Sequence, residues 1–253
     1  MTIDSVTLAR LEWGDPAAER RVLFIHGLSG LGHAWWRIAS AVAEQGGYAL
    51  AVDLRGHGYS PRTREYSLSR HVADLGRVTA PEGRPWSLVV GHSLGGAASV
   101  VTAATNPGWA AQLLLVDPAL AIPEKDRPAV LENIVRDRDV DPAEFAARNP
   151  RWTSEDALLK ATSVRLVSTY MLEAILADPG WDAEAALTTL DLPVHALGAD
   201  RDRSPSFPPE QAERITAANP RVSYREIAGE GHGMFRDAPD VVLDEILRLL
   251  PSA

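Results

Sequence analysis

Short apolar runs alternate along the chain with segments of helical periodicity. Apolar runs occupy residues 21–25, 48–52, 86–90 and 113–116, and further strand-like segments lie at 193–197 and 222–227. Strands that are apolar without alternation are typical of a sheet covered on both faces. Residues 5–12 alternate between apolar and polar, as an edge strand does. The pattern therefore predicts an α/β fold built on a mostly parallel, doubly wound sheet.

Helical spacing predicts helices over residues 34–44, 67–78, 93–105, 209–218 and 241–250. The stretch 119–186 breaks the alternation, because it holds helical, charged segments at 128–137, 141–148 and 154–176 and no strand-like run. An excursion of about 65 residues between two strands is too long for a plain loop. We expect a core formed by residues 1–118 and 187–253, with an inserted helical cap at 119–186.

Composition narrows the class of protein. The chain has 253 residues, of which 45% are hydrophobic and 23% charged, as in a globular domain. Its net charge of -9 argues against a nucleic-acid partner, which would require a concentrated basic patch. The absence of cysteine excludes disulfides, zinc-thiolate sites and a cysteine nucleophile. No H-E-x-x-H motif is present, and we expect neither a metal nor a cofactor.

The first residues, MTIDSVTLARLEW, carry an early acid and no apolar core, which is not the pattern of a secretory signal. No run approaches the ~18 apolar residues of a membrane span. We expect a cytoplasmic protein with no membrane partner, acting on a small molecule and water. The sequence leaves the oligomeric state open.

The strongest chemical signal is Gly91-His92-Ser93-Leu94-Gly95. This G-x-S-x-G follows an apolar run and opens a predicted helix, the strand–turn–helix context of a nucleophile elbow. Glycines allow the sharp turn that leaves the serine hydroxyl exposed. The alternative is a serine that only caps a helix in a glycine-rich turn.

A serine nucleophile needs a base, because a neutral hydroxyl reacts poorly. We considered the following histidines as candidates: His26, His33, His57, His92, His195 and His232. His232 lies in Gly229-Glu230-Gly231-His232-Gly233, between the last strand-like segment and the last helix, where glycines let the loop reach over the sheet edge. His26 is expected to order a loop through hydrogen bonds, and His57 to belong to a turn.

The chain resembles the α/β-hydrolase family over nearly its full length. The resemblance is carried by His26-Gly27-Leu28 after a strand, by the loop Asp53-Leu54-Arg55-Gly56-His57-Gly58-Tyr59-Ser60, by the G-x-S-x-G and by Gly231-His232. It implies a Ser–acid–His catalytic triad in that chain order. It also implies an oxyanion hole formed by the backbone N–H groups of Leu28 and Leu94, where negative charge would develop.

The acid of the triad is open between two loops. Asp117 directly follows the buried run 113–116 and would be shielded, as an acid dedicated to a histidine should be. Asp202 lies beyond the next strand, where the family's commonest acid falls, and Asp200 is its neighbour. The alternating charges of residues 200–203 are typical of a solvated, self-paired loop. We therefore place Asp117 first, Asp202 second and Asp200 third.

The expected activity is hydrolysis of a small, largely apolar carboxylic ester or lactone through an acyl-enzyme. The same triad would serve a thioester, an amide or a C–C bond. A haloalkane dehalogenase or epoxide hydrolase would need an aspartate in place of Ser93. Several side chains are candidates for the substrate pocket, although core packing explains any one of them equally well: Trp35, Trp36, Trp152, Tyr170, Met171 and Trp181.

Two other function classes remain, an oxidoreductase that binds a dinucleotide and a ligand receptor without catalysis. Residues 27–32 form a glycine-rich turn between a strand and a helix, but their spacing is G-x-x-G-x-G rather than the dinucleotide-binding G-x-G-x-x-G. A ligand receptor on a hydrolase scaffold would keep Ser93 and His232 with little turnover, because fold does not dictate function. Turnover of a generic ester distinguishes the receptor from the enzyme.

Overall fold

Seven strands form one sheet in the order β1-β3-β2-β4-β5-β6-β7 in the computed structural model, which describes residues 4–251. The strands are β1 (Arg10–Gly14), β2 (Arg21–Ile25), β3 (Tyr48–Val52), β4 (Leu88–His92), β5 (Leu113–Val116), β6 (Val194–Ala199) and β7 (Val222–Ile227). Strand β1 pairs antiparallel with β3, and the remaining pairs are parallel. The predicted mostly parallel α/β sheet is confirmed.

Helices cover both faces of this sheet. They are α1 (Trp36–Glu44), α2 (Leu68–Leu75), α3 (Leu94–Thr105), α4 (Arg127–Arg136), α5 (Pro142–Arg148), α6 (Ser154–Leu166), α7 (Thr169–Leu176), α8 (Glu184–Thr189), α9 (Pro209–Ala218), α10 (Met234–Asp237) and α11 (Pro239–Leu249). Within residues 4–251, no helix combines the length and the apolarity that crossing a membrane requires.

Two apolar cores lie on opposite faces of the sheet, which explains the uninterrupted apolar runs. Successive side chains of a strand point to opposite faces. In β2, Leu23 and Ile25 belong to one core, whereas Val22 and Phe24 belong to the other. All five residues of β2 and of β4 are buried. A polar residue at either face would lose its water, so these strands are apolar throughout.

The structure shifts two predicted strands. The first begins at Arg10 rather than at residue 5, and it lies at the sheet edge as expected. The third apolar run, predicted at 86–90, is β4 at Leu88–His92, because Trp86 forms only an isolated bridge to Ala110. Strand β4 thus ends at His92, the residue directly before Ser93.

The helix predicted over 154–176 is two helices. Val167 is extended, with φ -84° and ψ 135°, and ends α6. The side chain of Ser168 then accepts the Met171 N–H at 3.0 Å and begins α7 as its N-cap. A serine at this position satisfies a backbone donor that a new helix leaves unpaired.

Helices α4 to α7 lie between β5 and β6, in the segment predicted to be a cap. This segment leaves and rejoins the core at one place, where Ala121 forms an antiparallel bridge with Asp182. Beside it, the Ala183 N–H donates to the Leu120 carbonyl oxygen at 2.8 Å. The expected cap boundary at residue 186 falls within α8, which packs on α3 and α9. The division into core and cap stays a prediction.

Candidate active site

Ser93 occupies a strained turn between β4 and α3. Its φ is 52° and its ψ -119°, in the region of positive φ that side chains other than glycine rarely adopt. The turn brings α3 against the end of β2: a Cβ on Gly95 would lie 2.5 Å from the carbonyl oxygen of Ile25. A Cβ on Gly91 would lie 2.7 Å from the Gly95 carbonyl oxygen. Glycine is therefore required at both positions of the motif, because neighbouring backbone atoms lie too close for a side chain.

Ser93 and His232 line one cavity of about 900 Å³. This volume lies within the range of small-molecule sites. Residues Ala129, Val130 and Ile134 of the α4 segment line the cavity as well. Across the described part of the chain, no hydrogen bond joins Ser93 Oγ to His232. Such a bond often becomes short only in the substrate complex.

The carboxylate that meets His232 is Asp117, at the end of β5. The Nδ1–H of His232 donates to Asp117 Oδ2 at 2.6 Å. Three backbone N–H groups donate to the same carboxylate, those of Ser206 (2.9 Å), Phe207 (3.1 Å) and Ala199 (3.3 Å). Asp117 is fully buried, and its φ is 41°.

These donors set the charge of Asp117. Burial by itself raises the pKa of this carboxyl, but the hydrogen bond and charge of His232 and the N–H groups of Ser206 and Ala199 outweigh it. The pKa of Asp117 therefore lies below its ordinary value. At neutral pH an ionised carboxylate at Nδ1 leaves the Nε2 atom of His232 as the nitrogen that can accept a proton.

Asp200 and Asp202 occupy a different place. Asp200 is half-buried, and its carboxylate accepts the N–H groups of Asp202 (2.9 Å) and Gly229. Asp202 is exposed in the same short turn. Within residues 4–251, neither carboxylate contacts His232. The alternating charges of this segment do not pair with one another as predicted, because Arg201 forms its ion pair with Glu226 of β7 at 2.6 Å.

Two buried histidines brace the loop after β2. The Nδ1–H of His26 donates to the Gly27 carbonyl oxygen at 2.7 Å, and its Nε2 accepts the Leu54 N–H at 3.0 Å. Ser29, with φ 56°, donates its N–H to His57 Nε2 at 3.3 Å. Sequence reasoning predicted the ordering role of His26 but assigned His57 only to a turn. No local pattern marks His57, because its partner is 28 residues away.

The loop after β2 also passes close to Ser93 at Gly27. A Cβ on Gly27 would lie 2.8 Å from Ser93 Cβ, so the loop backbone passes directly against the serine. Leu94 is the first residue of α3, where N–H groups have no partner within the helix. Among the residues that the structure describes, neither the Leu28 nor the Leu94 N–H donates a hydrogen bond. The assignment of these two N–H groups to an oxyanion hole stays a prediction.

His92 supports His232 from the other side. Its Nε2–H donates to the His232 carbonyl oxygen at 2.8 Å, and the two ring centroids lie 4.5 Å apart. Burial, followed by the charge of His232, holds the pKa of His92 well below its ordinary value. His92 is therefore neutral and positions the His232 loop. His33, His57 and His195 do not line the cavity.

The chain has a seventh histidine, His71, which sequence reasoning missed as a candidate base. It is buried on α2, and its Nδ1–H donates to the Ser67 carbonyl oxygen at 3.0 Å. It does not line the cavity either.

Of the four main pocket candidates, Trp152 and Trp181 line the cavity and Trp35 and Tyr170 do not. The prediction for Trp35 is wrong, because its ring is completely buried in a core and stacks on Phe235 at 4.5 Å. The prediction for Tyr170 is wrong as well. Its side chain is on the surface, where 56% of the residue is exposed.

Trp36 and Met171 also lie outside the cavity lining. Trp36 Nε1–H donates to Asp156 Oδ1 at 3.2 Å, and Met171 is buried in the apolar core. The cavity instead contains two cations that sequence reasoning missed, Arg236 and Lys160.

The glycine-rich turn 27–32 is not a phosphate cradle. Three of its N–H groups already donate within the protein: Ser29 to His57, Gly30 to the Gly27 carbonyl oxygen (3.0 Å) and Gly32 to Asp53 Oδ1 (2.6 Å). The carboxylate of Asp53 also adds negative charge to the turn. Between residues 4 and 251, no group of three or more His, Asp or Glu side chains is arranged to hold a metal ion.

Residues 22–245 match the model of a family described as the alpha/beta hydrolase family. The lipase LipV of Mycobacterium tuberculosis is 36% identical over 144 residues, which cover 56% of this chain and 54% of the lipase. The esterase Rv0045c of the same organism is 34% identical over 117 residues, covering 46% and 38%. The chain thus spans about half the length of the lipase and 38% of the length of the esterase.

The crystal structure of E-2-(acetamidomethylene)succinate hydrolase superposes with a TM-score of 0.81. The match covers 96% of this chain and 95% of that one at 20% sequence identity, a likeness of fold.

Proposed function

This chain belongs to the α/β-hydrolase family, and from that premise we propose that it is a serine hydrolase which cleaves a small carboxylic ester or lactone through an acyl-enzyme. One observation carries the proposal: the His232 imidazole, held by Asp117 at 2.6 Å, lines the same cavity as Ser93. A serine in a strained turn beside a histidine oriented by a buried carboxylate is the arrangement of an activated nucleophile.

Each group has a role in acyl transfer. His232 Nε2 removes the proton of Ser93 Oγ as the oxygen attacks the ester carbonyl, and the Asp117 carboxylate stabilises the imidazolium. The N–H groups of Leu28 and Leu94 donate to the oxyanion of the tetrahedral intermediate. His232 then protonates the leaving alcohol. In the second half, His232 takes a proton from water as the water attacks the acyl-enzyme, and it then gives that proton to Ser93 Oγ as the acid leaves.

Ester chemistry is supported by the names of the lipase and esterase relatives and by the walls of the cavity. Its lining combines apolar side chains of the α4 segment with Trp152 and Trp181. An apolar wall favours the carbon skeleton of the substrate, while the polar groups at Ser93 act on its carbonyl.

Covalent labelling tests the nucleophile. A fluorophosphonate probe forms a stable adduct with an activated serine, and intact mass reports it. We expect one adduct on the wild type and none on Ser93→Ala. The matched control is Ser204→Ala, which removes another serine of the same cavity and should keep the adduct.

An ester and lactone panel then identifies the preferred acyl class. A folded wild type that carries no adduct and turns over no ester contradicts the proposal. The ligand-receptor interpretation would then take its place.

A further inference from the structure

Two cations line the cavity that contains Ser93: Arg236 of α10, which is buried, and Lys160 of α6, which is half-buried. Arg236 is 8% exposed, and 18% of the Lys160 side chain is exposed. Neither has a part in acyl transfer as described above. Charged side chains are rarely buried without a partner, so their contacts decide whether they are structural.

Arg236 makes no direct contact with a carboxylate among the described residues, although the charges of Asp156 and Asp237 act on it. Among residues 4–251, its guanidinium forms neither a hydrogen bond nor an ion pair, and its Nε is buried without an acceptor. It lies instead over the rings of Phe235, at 4.5 Å from the centroid, and Trp152, at 5.5 Å. These aromatic faces support a cation but leave its N–H donors unused.

The acids closest to Arg236 are engaged elsewhere. Asp237 Oδ1 accepts the Trp152 Nε1–H at 2.6 Å. Asp156 accepts the Thr153 N–H at 3.0 Å and lies 3.4 Å from Arg37 Nη1. The structure thus keeps a buried guanidinium with unsatisfied donors beside the catalytic cavity, an arrangement that costs stability unless an anion enters.

Lys160 adds a second positive charge. Its Nζ lies 3.6 Å from Asp137 Oδ2, a long ion pair. Burial, followed by the charge of Arg236, lowers the pKa of Lys160 to about 8, so the two cations act on each other. The other acid of the lining, Asp126, is exposed. In the cavity lining two cations face one half-buried carboxylate, that of Asp137, and the charges of Asp156 and Asp237, which do not line the cavity, also act on Arg236.

Ring stacking connects Arg236 to the proposed base. The Phe235 ring packs on His92 at 4.8 Å, and His92 packs on His232 at 4.5 Å. The guanidinium lies over the outer end of this stack. An anion bound by Arg236 would thus belong to a molecule that also reaches Ser93.

We propose that Arg236, assisted by Lys160, binds a carboxylate carried by the substrate, and that the preferred substrate is a small ester with a free carboxylate away from the scissile bond. The planar guanidinium offers paired N–H donors that fit the two oxygens of a carboxylate. The apolar lining holds the carbon chain between the two ends. This inference deepens the proposed serine-hydrolase function and rests on it for turnover, but not for binding.

A matched pair of esters tests the preference. The mono-4-nitrophenyl ester of glutaric acid carries a carboxylate where 4-nitrophenyl pentanoate carries a methyl group. We expect the wild type to have a kcat/KM at least about tenfold higher for the carboxylate ester. The ratio of the two kcat/KM values should fall about tenfold or more in Arg236→Met and less in Arg236→Lys, which keeps the charge but loses the planar donors.

The control is Arg203→Met, which removes an exposed cation next to Ser204 of the cavity lining. A general attraction of anions would change with Arg203, whereas a specific site would not. Thermal melting of each variant separates loss of binding from loss of folding.

Ligand binding to the Ser93→Ala variant tests the carboxylate site without any turnover. Calorimetry should show that monomethyl glutarate, which carries one free carboxylate, binds this variant and that adding Arg236→Met weakens binding about tenfold or more, with inorganic phosphate binding more weakly than monomethyl glutarate. Equal binding with and without Arg236, or tighter binding of phosphate, overturns the carboxylate site. If the wild type takes no fluorophosphonate adduct and hydrolyses no ester, but binding of monomethyl glutarate depends on Arg236, the serine-hydrolase proposal fails and the carboxylate site stands.

Discussion

His232 Nδ1 and Asp117 Oδ2 lie 2.6 Å apart although 115 residues separate them in the chain. Asp117 follows β5, and His232 follows β7. Ser206, in the loop after β6, donates its N–H to the same carboxylate. Three neighbouring parallel strands thus contribute their carboxyl ends to one cluster, the position where open α/β sheets bind ligands.

Replacing the acid tests its assignment. We expect Asp117→Asn to lower kcat by roughly 10³ to 10⁴, because the amide no longer stabilises the His232 imidazolium or its tautomer. Steady-state kinetics on a 4-nitrophenyl ester measure the loss, with circular dichroism as the check on folding.

The control for this variant is Asp202→Asn. Asp202 is exposed and apart from His232, so its replacement should change kcat less than about twofold. A reversed result, with activity lost in Asp202→Asn and kept in Asp117→Asn, would assign the acid to the loop after β6.

The stability contributed by Asp117 should depend on pH. The pKa of this carboxyl is lower in the folded protein than its ordinary 3.8, so the unfolded chain takes up the proton first as pH falls. The contribution is therefore complete above about pH 4 and is lost as pH falls through the folded-state pKa. The difference in Tm between wild type and Asp117→Asn should shrink from pH 6 to pH 3. A difference that grows toward low pH would contradict the direction of the shift.

A buried ion pair stabilises the loop after β3. Arg55 Nε and Nη2 donate to the two carboxylate oxygens of Asp74 at 2.6 and 2.7 Å, and both side chains are almost fully buried. Asp74→Ala leaves the guanidinium buried without its partner, and we expect the free energy of unfolding to fall by about 3 to 5 kcal/mol. Urea denaturation measures it.

The exposed pair of Arg84 and Glu19 is the comparison for Asp74→Ala. Glu19→Ala should cost less than about 1 kcal/mol, because solvent screens this pair. Similar losses in the two variants would show that burial is not the cause.

The close approach at the elbow predicts a steric effect. Gly95→Ala places a Cβ 2.5 Å from the Ile25 carbonyl oxygen and must move α3 away from β2. We expect both a lower Tm and slower fluorophosphonate labelling of Ser93. A Cβ on Gly231 meets no atom within 4 Å, so Gly231→Ala is the matched control for the Tm. Equal melting of Gly95→Ala and wild type would show that the turn tolerates a side chain.

Removing the charge of Arg236 should stabilise the protein. Burial lowers the pKa of Arg236 to about 10, which means that its charged form is disfavoured in the fold. Met has a similar volume and no charge, and we expect Arg236→Met to raise the free energy of unfolding by about 1 to 2 kcal/mol. Thermal melting without ligand checks the sign. A lower Tm would show that stacking on Trp152 and Phe235 outweighs the cost of the charge.

The sheet is predictable from the sequence because its strand ends are abrupt. Val52 is followed by Asp53, and Val116 by Asp117, so the apolar runs 48–52 and 113–116 coincide with β3 and β5. The four-residue helix α10 has no such signal, because its length gives no periodicity. The interruption at Ser168 is marked only by one capping residue within a helical pattern.

A site residue is predictable from the sequence when one short motif contains it. It is not predictable when its position depends on contacts with residues far along the chain. The G-x-S-x-G motif identifies Ser93 as the nucleophile candidate from five consecutive residues. The choice between Asp117 and Asp202 depends instead on which carboxylate meets the His232 loop. Trp35 fits a core or a pocket equally well by its type, and its position is decided by stacking on Phe235, 200 residues away. Arg236 lacks a direct carboxylate partner because Trp152, far along the chain, takes the nearby carboxylate of Asp237.

The bridge between Ala121 and Asp182 gives the chain one junction through which α4 to α7 leave and return. The chain can change in length between α4 and α6 without shifting the register of any strand, whereas α7 packs Met171 into the apolar core and has to be kept. Lys160 would be affected by such a change, whereas Arg236 and the Ser93 turn are inherited with the sheet. Substrate preference and catalytic chemistry can thus diverge at different rates within a single lineage.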